Sequence, residues 1–204
     1  MITIVNFGMG NLGSIHNMLT RLGFDAKITS DINEIKTAEK LILPGVGAFD
    51  QAMTNLHNQD FVPLLNDLVL KKRIPILGIC LGMQLLAQRS EEGKRDGLGW
   101  IDAEVIRFRF SPEQNLRIPH IGWNTIKIQQ EACLFKKMYE ESRFYFVHSY
   151  FVKCKSDDTV LATTNYGFDF TSAVVHDNIY GVQFHPEKSH KFGMLLLKNF
   201  AEFC

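Results

Sequence analysis

Strand-like apolar segments alternate with helical patterns through the first half of the chain, and this alternation limits the fold more than any other feature of the sequence. The strand-like segments are 2–7, 24–29, 40–43 and 74–79, and the helical segments between them are 12–22, 49–57 and 63–71. Parallel strands need a long crossover connection, which is usually a helix packed on a face of the sheet. The first half therefore predicts a mainly parallel central sheet covered by helices on both faces.

Short β-rich segments separated by turn residues replace this pattern after residue 100. They are 101–108, 124–128, 144–150, 160–164, 172–175 and 179–184, and an amphipathic helix is predicted over 190–203. A chain of 204 residues can bury one substantial core, and no repeat, linker or low-complexity tract divides it. We therefore expect a single α/β domain over residues 1–204, with an added β-rich part in its second half.

Composition excludes several classes of protein. The 22 basic and 22 acidic residues cancel, so charge favours neither a nucleic-acid partner nor an anionic membrane. No apolar run approaches the roughly 20 residues of a spanning helix, and no export signal is visible at the start of the chain. The 4 cysteines are scattered, with neither metal-ligand spacing nor a disulfide framework. We therefore expect a cytoplasmic protein that holds no metal.

A cysteine flanked by glycines stands between a predicted strand and a helix-forming run. Residues 78–82 read Gly-Ile-Cys-Leu-Gly, after the apolar segment 74–77 and before the run 83–89. Glycine on both sides permits the sharp turn of a nucleophile elbow, which exposes the central side chain at the helix start. Unpaired backbone N–H groups and the helix dipole favour a thiolate there. The alternative is an inert buried cysteine beside a tight turn.

A His-Pro-Glu sequence follows the last predicted strand. A nucleophilic cysteine needs an imidazole to take its proton and a third group to orient that imidazole. Two residues apart on an extended segment, His185 and Glu187 can project the same way, and Pro186 stiffens the link between them. Alone, this sequence could be a solvated turn. Together, the two motifs predict a catalytic triad of Cys80, His185 and Glu187.

The chain resembles a known family at these motifs. Residues 78–84 and 183–187 are similar to the nucleophile and His-Glu motifs of the class I, or triad, glutamine amidotransferases. Further stretches at 7–12, 44–48, 119–124, 146–150 and 188–189 resemble the glutaminase subunits of imidazole glycerol phosphate synthases. The resemblance extends from Met1 to the last helix. It implies a three-layer, flavodoxin-like fold that hydrolyses glutamine to glutamate and ammonia without a cofactor.

Further site residues follow from the elbow and from the resemblance. Elbow geometry makes the backbone N–H of Leu81 one donor to the oxyanion, and the resemblance places the other in the turn at Val46 and Gly47. The substrate-binding positions that the resemblance implies are Gly45, Gln84, Glu92, Ser149 and Tyr150. Among them, Glu92 corresponds to the contact for the α-amino group, and Ser149 and Tyr150 to the α-carboxylate segment. An ordinary turn at 44–47 and a solvated loop at 91–97 remain the alternatives.

Ammonia released in water is protonated and loses its nucleophilicity, so its use in biosynthesis requires a shielded route to an acceptor. The resemblance implies a heterodimer with a (β/α)₈-barrel cyclase, which uses ammonia to make imidazole glycerol phosphate and AICAR in histidine biosynthesis. Asn11, Tyr145 and Lys188 correspond to interface positions, although ordinary surface residues would look the same. The resemblance also implies a glutaminase that is nearly idle until the cyclase binds its ligand, so we expect the isolated chain to be a poor glutaminase. A flipped peptide in the turn 45–47 is a candidate switch, since it would remove an oxyanion donor.

Other functions remain open from the sequence. Paralogous subunits with these motifs supply ammonia to synthases that amidate surface sugars. Residues 8–13 fit G-x-G-x-x-G after a strand, and Asp31 lies near the end of the next strand, which is the dinucleotide-binding pattern of a redox module. A tight β–α turn would explain the same glycines. A non-catalytic scaffold is a further alternative, but it would not explain why Cys80, His185 and Glu187 are all present. No role is assigned to His120, Trp123 or Asn124.

Overall fold

The computed structural model describes all 204 residues. The strands are β1 (Ile2–Val5), β2 (Ala26–Thr29), β3 (Lys40–Gly45), β4 (Ile76–Cys80), β5 (Arg89–Ser90), β6 (Ala103–Arg107), β7 (His120–Thr125), β8 (Lys127–Ile128), β9 (Arg143–His148), β10 (Tyr150–Cys154), β11 (Val160–Asn165), β12 (Asp169–His176) and β13 (Ile179–Val182). The helices are α1 (Leu12–Arg21), α2 (Ile32–Ile35), α3 (Phe49–Asn58), α4 (Phe61–Asn66), α5 (Leu81–Leu85) and α6 (His190–Phe203).

One large sheet runs through the molecule in the order β2-β1-β3-β4-β13-β12-β10-β6-β5. The first five strands of this order are parallel to one another, whereas β12, β10 and β6 each run antiparallel to the strand before them. The parallel strands come from the βα part of the sequence, together with β13. The mainly parallel sheet with a β-rich addition is therefore confirmed. No helix is both long enough and apolar enough to cross a membrane.

Two apolar clusters cover the two faces of the sheet. On one face, α1 and α6 contact each other and bury side chains such as Leu19 and Leu197 completely. On the other face, α3, α4 and α5 contribute residues such as Phe49, Leu65 and Leu85. Because helices pack on both faces, the carboxyl ends of the parallel strands are left uncovered at one edge, where β–α turns emerge.

A separate two-stranded antiparallel ribbon, formed by β7 and β9, lies beside the end of β13. His120 pairs with His148 and Trp123 pairs with Tyr145 across the ribbon. The backbone N–H of His185 donates a 2.9 Å hydrogen bond to the carbonyl oxygen of Tyr145, which joins the ribbon to the chain beyond β13. Because side chains alternate along β7, Ile121 and Trp123 are 58% and 45% exposed on one side, while His120 is buried on the other.

Several segments differ from the sequence-based expectations. The run 83–89 does not form one helix, because α5 ends at Leu85 and Arg89–Ser90 pairs with β6 as β5. The segment 144–150 is divided between β9 and β10, and the second of these extends to Cys154 along β6. In both places, pairing with a strand that is distant in sequence outweighs local propensity. The segment 63–71 is α4, which begins at Phe61, followed by a wide helical turn over Asp67–Lys71.

Two cysteines form a disulfide, although the scattered cysteines showed no disulfide framework in the sequence. Cys133 and Cys204 are 71 residues apart in sequence, with Cα atoms separated by 5.6 Å. The turn Cys133–Phe135 packs against the last helix, and the side-chain amide of Asn199 donates hydrogen bonds to the carbonyl oxygens of Leu134 and Lys136. This proximity depends on tertiary packing, which the spacing of the cysteines along the chain does not show.

Candidate active site

Cys80 is the last residue of β4 and the residue before α5, as the elbow motif predicts. Its backbone has φ +55° and ψ −108°, a conformation that residues other than glycine rarely adopt. A Cβ atom at Gly82 would lie 1.8 Å from the carbonyl oxygen of Leu43, so only glycine lets the chain turn this close to β3. The Gly-x-Cys-x-Gly sequence therefore produces a sharp strand-to-helix turn, with the sulfur at the edge of the sheet.

His185 and Glu187 form a buried pair beside this sulfur. The Nδ1–H of His185 donates to Oε1 of Glu187 at 2.8 Å, and both side chains are only 2% exposed. The other ring nitrogen, Nε2, has no hydrogen-bond partner of its own, and His185 and Cys80 line one cavity. Burial alone would lower the pKa of His185, but the Cys80 side chain and the Glu187 carboxylate outweigh burial and raise it to about 9. The ring is therefore suited to take the proton of the thiol.

Two buried polar residues support the pair, and their roles were not predicted. The hydroxyl of Ser189 donates to the carbonyl oxygen of His185 at 2.6 Å and accepts the backbone N–H of Tyr145 at 3.0 Å. The side-chain amide of Gln183, which is completely buried, reaches Cys80 Sγ at 3.7 Å. A polar residue inside an otherwise apolar strand was the available signal for Gln183. Nothing in the sequence indicated the contact of Ser189.

A cavity of about 320 Å³ opens over the sulfur. Its lining includes the sequence-predicted residues Val46, Gly47, Cys80, Leu81, Gln84, Glu92, Ser149, Tyr150 and His185. Pro119, Val147 and His148 also line it, and none of these three was assigned a role from the sequence. Gly45 lies directly opposite Cys80 in the β3–β4 register. The structure thus brings together side chains from both halves of the chain.

Glu92 belongs to this cavity rather than to a solvated loop. Its Oε2 accepts the backbone N–H of Phe49 at 2.9 Å, and the residue is half-buried. Burial raises the pKa of Glu92, the hydrogen bond from Phe49 opposes that shift, and the nearby charge of Asp50 adds to it. A carboxylate that lacks a full set of partners in a partly buried site is suited to a cationic group, such as an α-ammonium.

The amide of Gln84 is largely engaged within the protein. Its Nε2 donates to the carbonyl oxygen of Tyr150 at 3.1 Å and to Oε1 of Gln183 at 3.0 Å. Because the side chain is only 5% exposed and both donors are used, the amide oxygen is the atom left to face a ligand. Gln84 therefore connects the cavity wall at Tyr150 with the residue that contacts the sulfur.

The turn 45–47 adjoins the thiol. Gly47 has φ +111°, and a Cβ atom there would lie 2.7 Å from Cε of Met9. The first β–α turn of the chain therefore packs against the turn 45–47. Val46 between the two glycines is 42% exposed and lines the cavity, and Leu81 begins α5 on the other side of the sulfur.

The glycine-rich turn 8–13 has a structural explanation. The side chain of Asp31 accepts the backbone N–H of Asn33 at 2.7 Å and caps the start of α2. Gly8 and Gly10 have φ +86° and +107°, which the tight turn requires. Asp31 is therefore engaged at a helix terminus, and the geometry supports the tight-turn interpretation.

The three predicted interface positions lie at the surface near the triad. Asn11 and Lys188 are exposed, and Lys188 Nζ is 5.7 Å from the centre of the Tyr145 ring. The turn Pro186–Lys188 also contacts α1, which begins directly after Asn11. Elsewhere, no cluster of His, Cys, Asp and Glu side chains is arranged to hold a metal ion.

Comparison with known proteins connects this geometry to a family. The sequence matches the family model described as glutamine amidotransferase class-I over residues 3–203. It is 54% identical over 202 residues to imidazole glycerol phosphate synthase subunit HisH 2 of Methanococcus maripaludis, and the match covers 99% of each chain. It is 50% identical over 202 residues to imidazole glycerol phosphate synthase subunit HisH 2 of Pseudomonas aeruginosa, again over 99% of each chain.

Solved structures share the fold at much lower identity. PurLQS from Thermotoga maritima matches with a TM-score of 0.74 and 15% identity, covering 98% of this chain and 96% of that chain. A structure described as a glutamine amidotransferase matches with a TM-score of 0.72 and 19% identity, covering 97% and 98%. At these identities the likeness concerns the fold alone.

Proposed function

The chain belongs to the class I glutamine amidotransferase family, and from this we propose that it is the glutaminase subunit of an imidazole glycerol phosphate synthase in histidine biosynthesis. One observation carries the proposal: Cys80 lines a single cavity with His185, whose ring is hydrogen-bonded to Glu187, on a chain about half of whose residues are identical to subunits of that name. We treat residues 1–204 as one glutaminase domain, since the family model spans residues 3–203.

The proposed reaction begins when Cys80 Sγ attacks the side-chain amide carbon of glutamine. His185 takes the thiol proton, and Glu187 orients the ring through its hydrogen bond. The C–N bond then breaks as His185 passes the proton to the leaving nitrogen, which gives ammonia and a γ-glutamyl thioester. His185 next removes a proton from water, whose oxygen attacks the thioester carbon. The C–S bond then breaks, His185 returns the proton to the sulfur, and glutamate is released.

The tetrahedral intermediates carry an oxyanion that needs donors close to Cys80. We assign one donor to the backbone N–H of Leu81, because it follows the nucleophile directly at the elbow. The other comes from the turn at Val46 and Gly47, which lines the same cavity. The removal of one such donor typically lowers turnover on the order of 10²–10³-fold.

The substrate's α-groups are assigned to the cavity wall. Glu92 accepts the α-ammonium, which its partly buried and incompletely paired carboxylate supports. Ser149 and Tyr150 hold the α-carboxylate, and the amide oxygen of Gln84 faces the substrate. Gly45 keeps β3 close to the thiol without a side chain in the way, since its Cβ would lie 2.9 Å from that of Leu81.

We propose a (β/α)₈-barrel cyclase as the partner in a heterodimer that receives the ammonia. Exposed apolar side chains support a partner surface here: Val46, which lines the cavity, is 42% exposed, and Trp123 and Ile121 on the β7–β9 ribbon are 45% and 58% exposed. Asn11, Tyr145 and Lys188 lie at the same end of the molecule, beside the triad segment. A partner docked on this end would cover the site and exclude water from the ammonia.

We place the protein in the cytoplasm, where glutamine and a phosphorylated acceptor are available to it. In that reducing compartment, we expect the disulfide between Cys133 and Cys204 to be reduced to two free thiols. Rapid alkylation of thiols in intact cells, followed by mass spectrometry, tests this placement. A fully oxidised pair in the fresh cell extract would contradict it.

The central experiment mixes the pure chain with a barrel cyclase and the ligand of that cyclase, and measures glutamate release. We expect slow hydrolysis of glutamine by the chain alone and a large increase in the complex. Stimulation by a sugar-amidating synthase, and none by the cyclase, would instead favour the paralogous function. Absence of glutaminase activity with every partner, in a chain that is folded, would contradict the proposal as a whole.

A further inference from the structure

Two histidine side chains outside the triad are buried against each other beside the active cavity. His120 begins β7 and His148 ends β9, and the two residues are direct partners across the ribbon. Nδ1 of His120 lies 3.0 Å from Nε2 of His148. Aromatic rings surround the pair, including Tyr166, whose ring centre is 4.0 Å from that of His120. The site chemistry described above does not use either ring.

The proton on His148 can be assigned from its neighbours. Nδ1 of His148 lies 2.7 Å from the carbonyl oxygen of Tyr150, and because a carbonyl can only accept, Nδ1 carries the hydrogen. Burial lowers the pKa of His148 to about 3, although the Tyr150 carbonyl acts in the opposite direction, so the ring is neutral. Its Nε2 is therefore an acceptor, and the bond between the rings runs from His120 Nδ1–H to His148.

The same reasoning continues to the surface end of β7. Burial lowers the pKa of His120 to about 4, so its Nε2 is also an acceptor, and Nδ2 of Asn124 is its donor at 3.3 Å. The orientation of the Asn124 amide is fixed, because its oxygen accepts the backbone N–H of Thr125 at 2.9 Å and its nitrogen also donates to the Asn165 carbonyl. Asn124, His120, His148 and the Tyr150 carbonyl thus form a row of hydrogen bonds. Every donor in this row points in one direction, from Asn124 through both rings to Tyr150.

The row ends on the proposed carboxylate-binding segment. Residues 148–150 all line the cavity, and Ser149 is the link between β9 and β10. The Tyr150 carbonyl accepts a second hydrogen bond from Gln84, whose amide also contacts Gln183, the residue that reaches Cys80 Sγ. One carbonyl oxygen is therefore the junction between the histidine row and the residues around the thiol.

We propose that His148, held in place by His120 and Asn124, is a positioning residue that fixes the Tyr150 carbonyl and thereby the backbone that binds the α-carboxylate of glutamine. The inference rests on the proposed glutaminase function. It assigns the row to substrate binding rather than to the chemistry at the sulfur, because no member of the row contacts Cys80. A purely structural role would instead lower stability without a selective effect on glutamine binding.

Two substitutions of His148 separate its two hydrogen bonds. His148→Asn can keep an N–H near the position of Nδ1, and so keep the bond to Tyr150. His148→Gln reaches the position of Nε2 but has no donor for that carbonyl. In the complex with the cyclase and its ligand, we expect the KM for glutamine to rise about tenfold in His148→Gln, the equivalent of one hydrogen bond, and much less in His148→Asn, with small changes in kcat.

A milder variant and a matched control accompany these changes. Asn124→Ala removes the outermost donor of the row, together with two hydrogen bonds to Thr125 and Asn165 that lie outside the row, and leaves both rings in place. We therefore expect a KM increase in the same direction that is smaller than that of His148→Gln. His16 is a half-buried histidine whose Nε2 lies 3.0 Å from the Ala26 carbonyl, remote from the cavity, and His16→Gln should leave the KM unchanged. Equal KM effects in both His148 variants, or a fall in kcat at constant KM, would overturn the inference.

Chemical labelling of Cys80 gives an independent readout. The glutamine analogue 6-diazo-5-oxo-L-norleucine carries an α-carboxylate, whereas iodoacetamide does not. We expect His148→Gln to slow labelling by the analogue about tenfold and to leave alkylation by iodoacetamide unchanged. Equal labelling of the wild-type chain and the variant, or an equal loss with both reagents, would overturn the inference. Failure of the analogue to label the wild-type complex saturably would count against the glutaminase function itself.

Discussion

The hydroxyl of Ser189 donates a 2.6 Å hydrogen bond to the carbonyl oxygen of His185, and this bond fixes the backbone of the proposed general base. The hydroxyl oxygen of Ser189 also accepts the backbone N–H of Tyr145, so Ser189 joins the triad segment to the β7–β9 ribbon. In the elbow, a strained backbone holds the sulfur in place. On the histidine side, the side chain of Ser189 at the start of α6 fixes His185 through a hydrogen bond, without a strained backbone at His185 itself.

Ser189→Ala should lower both stability and turnover. The substitution leaves the buried N–H of Tyr145 without its partner, which we expect to cost about 1–3 kcal/mol in the free energy of unfolding. Turnover of glutamine should fall because His185 is less well fixed. Ser142 is a matched control, since its buried hydroxyl donates to the Tyr139 carbonyl at 2.8 Å away from the cavity. If Ser142→Ala reduced turnover as much as Ser189→Ala, a general loss of stability would explain both.

Glu187→Gln should reduce kcat on the order of 10²–10⁴-fold, because an uncharged amide stabilises the imidazolium poorly and can favour the wrong tautomer. The Glu187 carboxylate contributes to the raised pKa of His185, so its removal should lower that pKa. We expect the limb of the pH profile that reports His185 to move to lower pH. Steady-state rates over a pH series test this shift, and an unmoved limb would show that Glu187 does not act on the ring.

Gly47→Ala should impair glutamine hydrolysis while the use of added ammonium salt by the complex persists. The φ of +111° disfavours any residue with a Cβ, and the turn would have to change at the place assigned to an oxyanion donor. We expect turnover to fall on the order of 10²–10³-fold. Gly23, with φ +84° and open space around it, provides a control in which Gly→Ala carries the same backbone penalty. Equal rates in the two variants would contradict the assignment of this turn.

Reduction of the Cys133–Cys204 disulfide should lower stability without changing the glutaminase rate. The chain-entropy relation for a loop closed over 71 residues gives a stabilisation of about 4 kcal/mol for the oxidised form. Thermal unfolding with and without a reductant measures this difference. Cys154→Ser is the control, because burial raises the pKa of that free thiol to about 11 and it has no disulfide partner. An identical melting temperature under both conditions would exclude a formed disulfide.

Acid should destabilise the protein through the His120–His148 pair. The native pKa values, lowered to about 4 and about 3 by burial, lie below the ordinary value near 6.5 of the unfolded chain. The unfolded state therefore binds more protons, so the stability present above pH 6.5 declines as pH falls toward 4, by at most about 1.4 kcal/mol per pH unit for each ring. His185 has a raised pKa and therefore the opposite effect: its contribution to stability is fully present below pH 6.5 and is lost as pH rises toward about 9. Denaturant titrations across this range should show a flatter acid limb in His148→Asn.

The sequence predicted those parts of the site that depend on local geometry. Cys80 was predictable because the turn is built by its own flanking glycines, and Glu187 because it lies two residues from His185. The helix α6 was predicted over its full observed range, since its apolar periodicity is uninterrupted. These features need no information about distant segments.

The parts that the sequence did not predict depend on contacts between distant segments. The short strand β5 exists because it pairs with β6, and its local sequence resembles the end of a helix. His120 and His148 meet only because β7 and β9 adopt one register, and a shift by one residue would turn one ring to solvent. The hydrogen bonds of Ser189 to His185 and Tyr145 form only when the start of α6, the segment after β13 and the β7–β9 ribbon are packed together. No residue spacing encodes that combination.

The ribbon of β7 and β9 has two sides with different tasks. One side presents the exposed Ile121 and Trp123, together with Val147 of the cavity lining, while the other side buries His120 and His148, the second of which also lines the cavity. A protein bound to the exposed side chains and an amino acid bound in the cavity would thus both contact this one two-stranded element. If binding of the protein changes the affinity for the amino acid by some factor, thermodynamic linkage requires that the amino acid changes the affinity for the protein by the same factor.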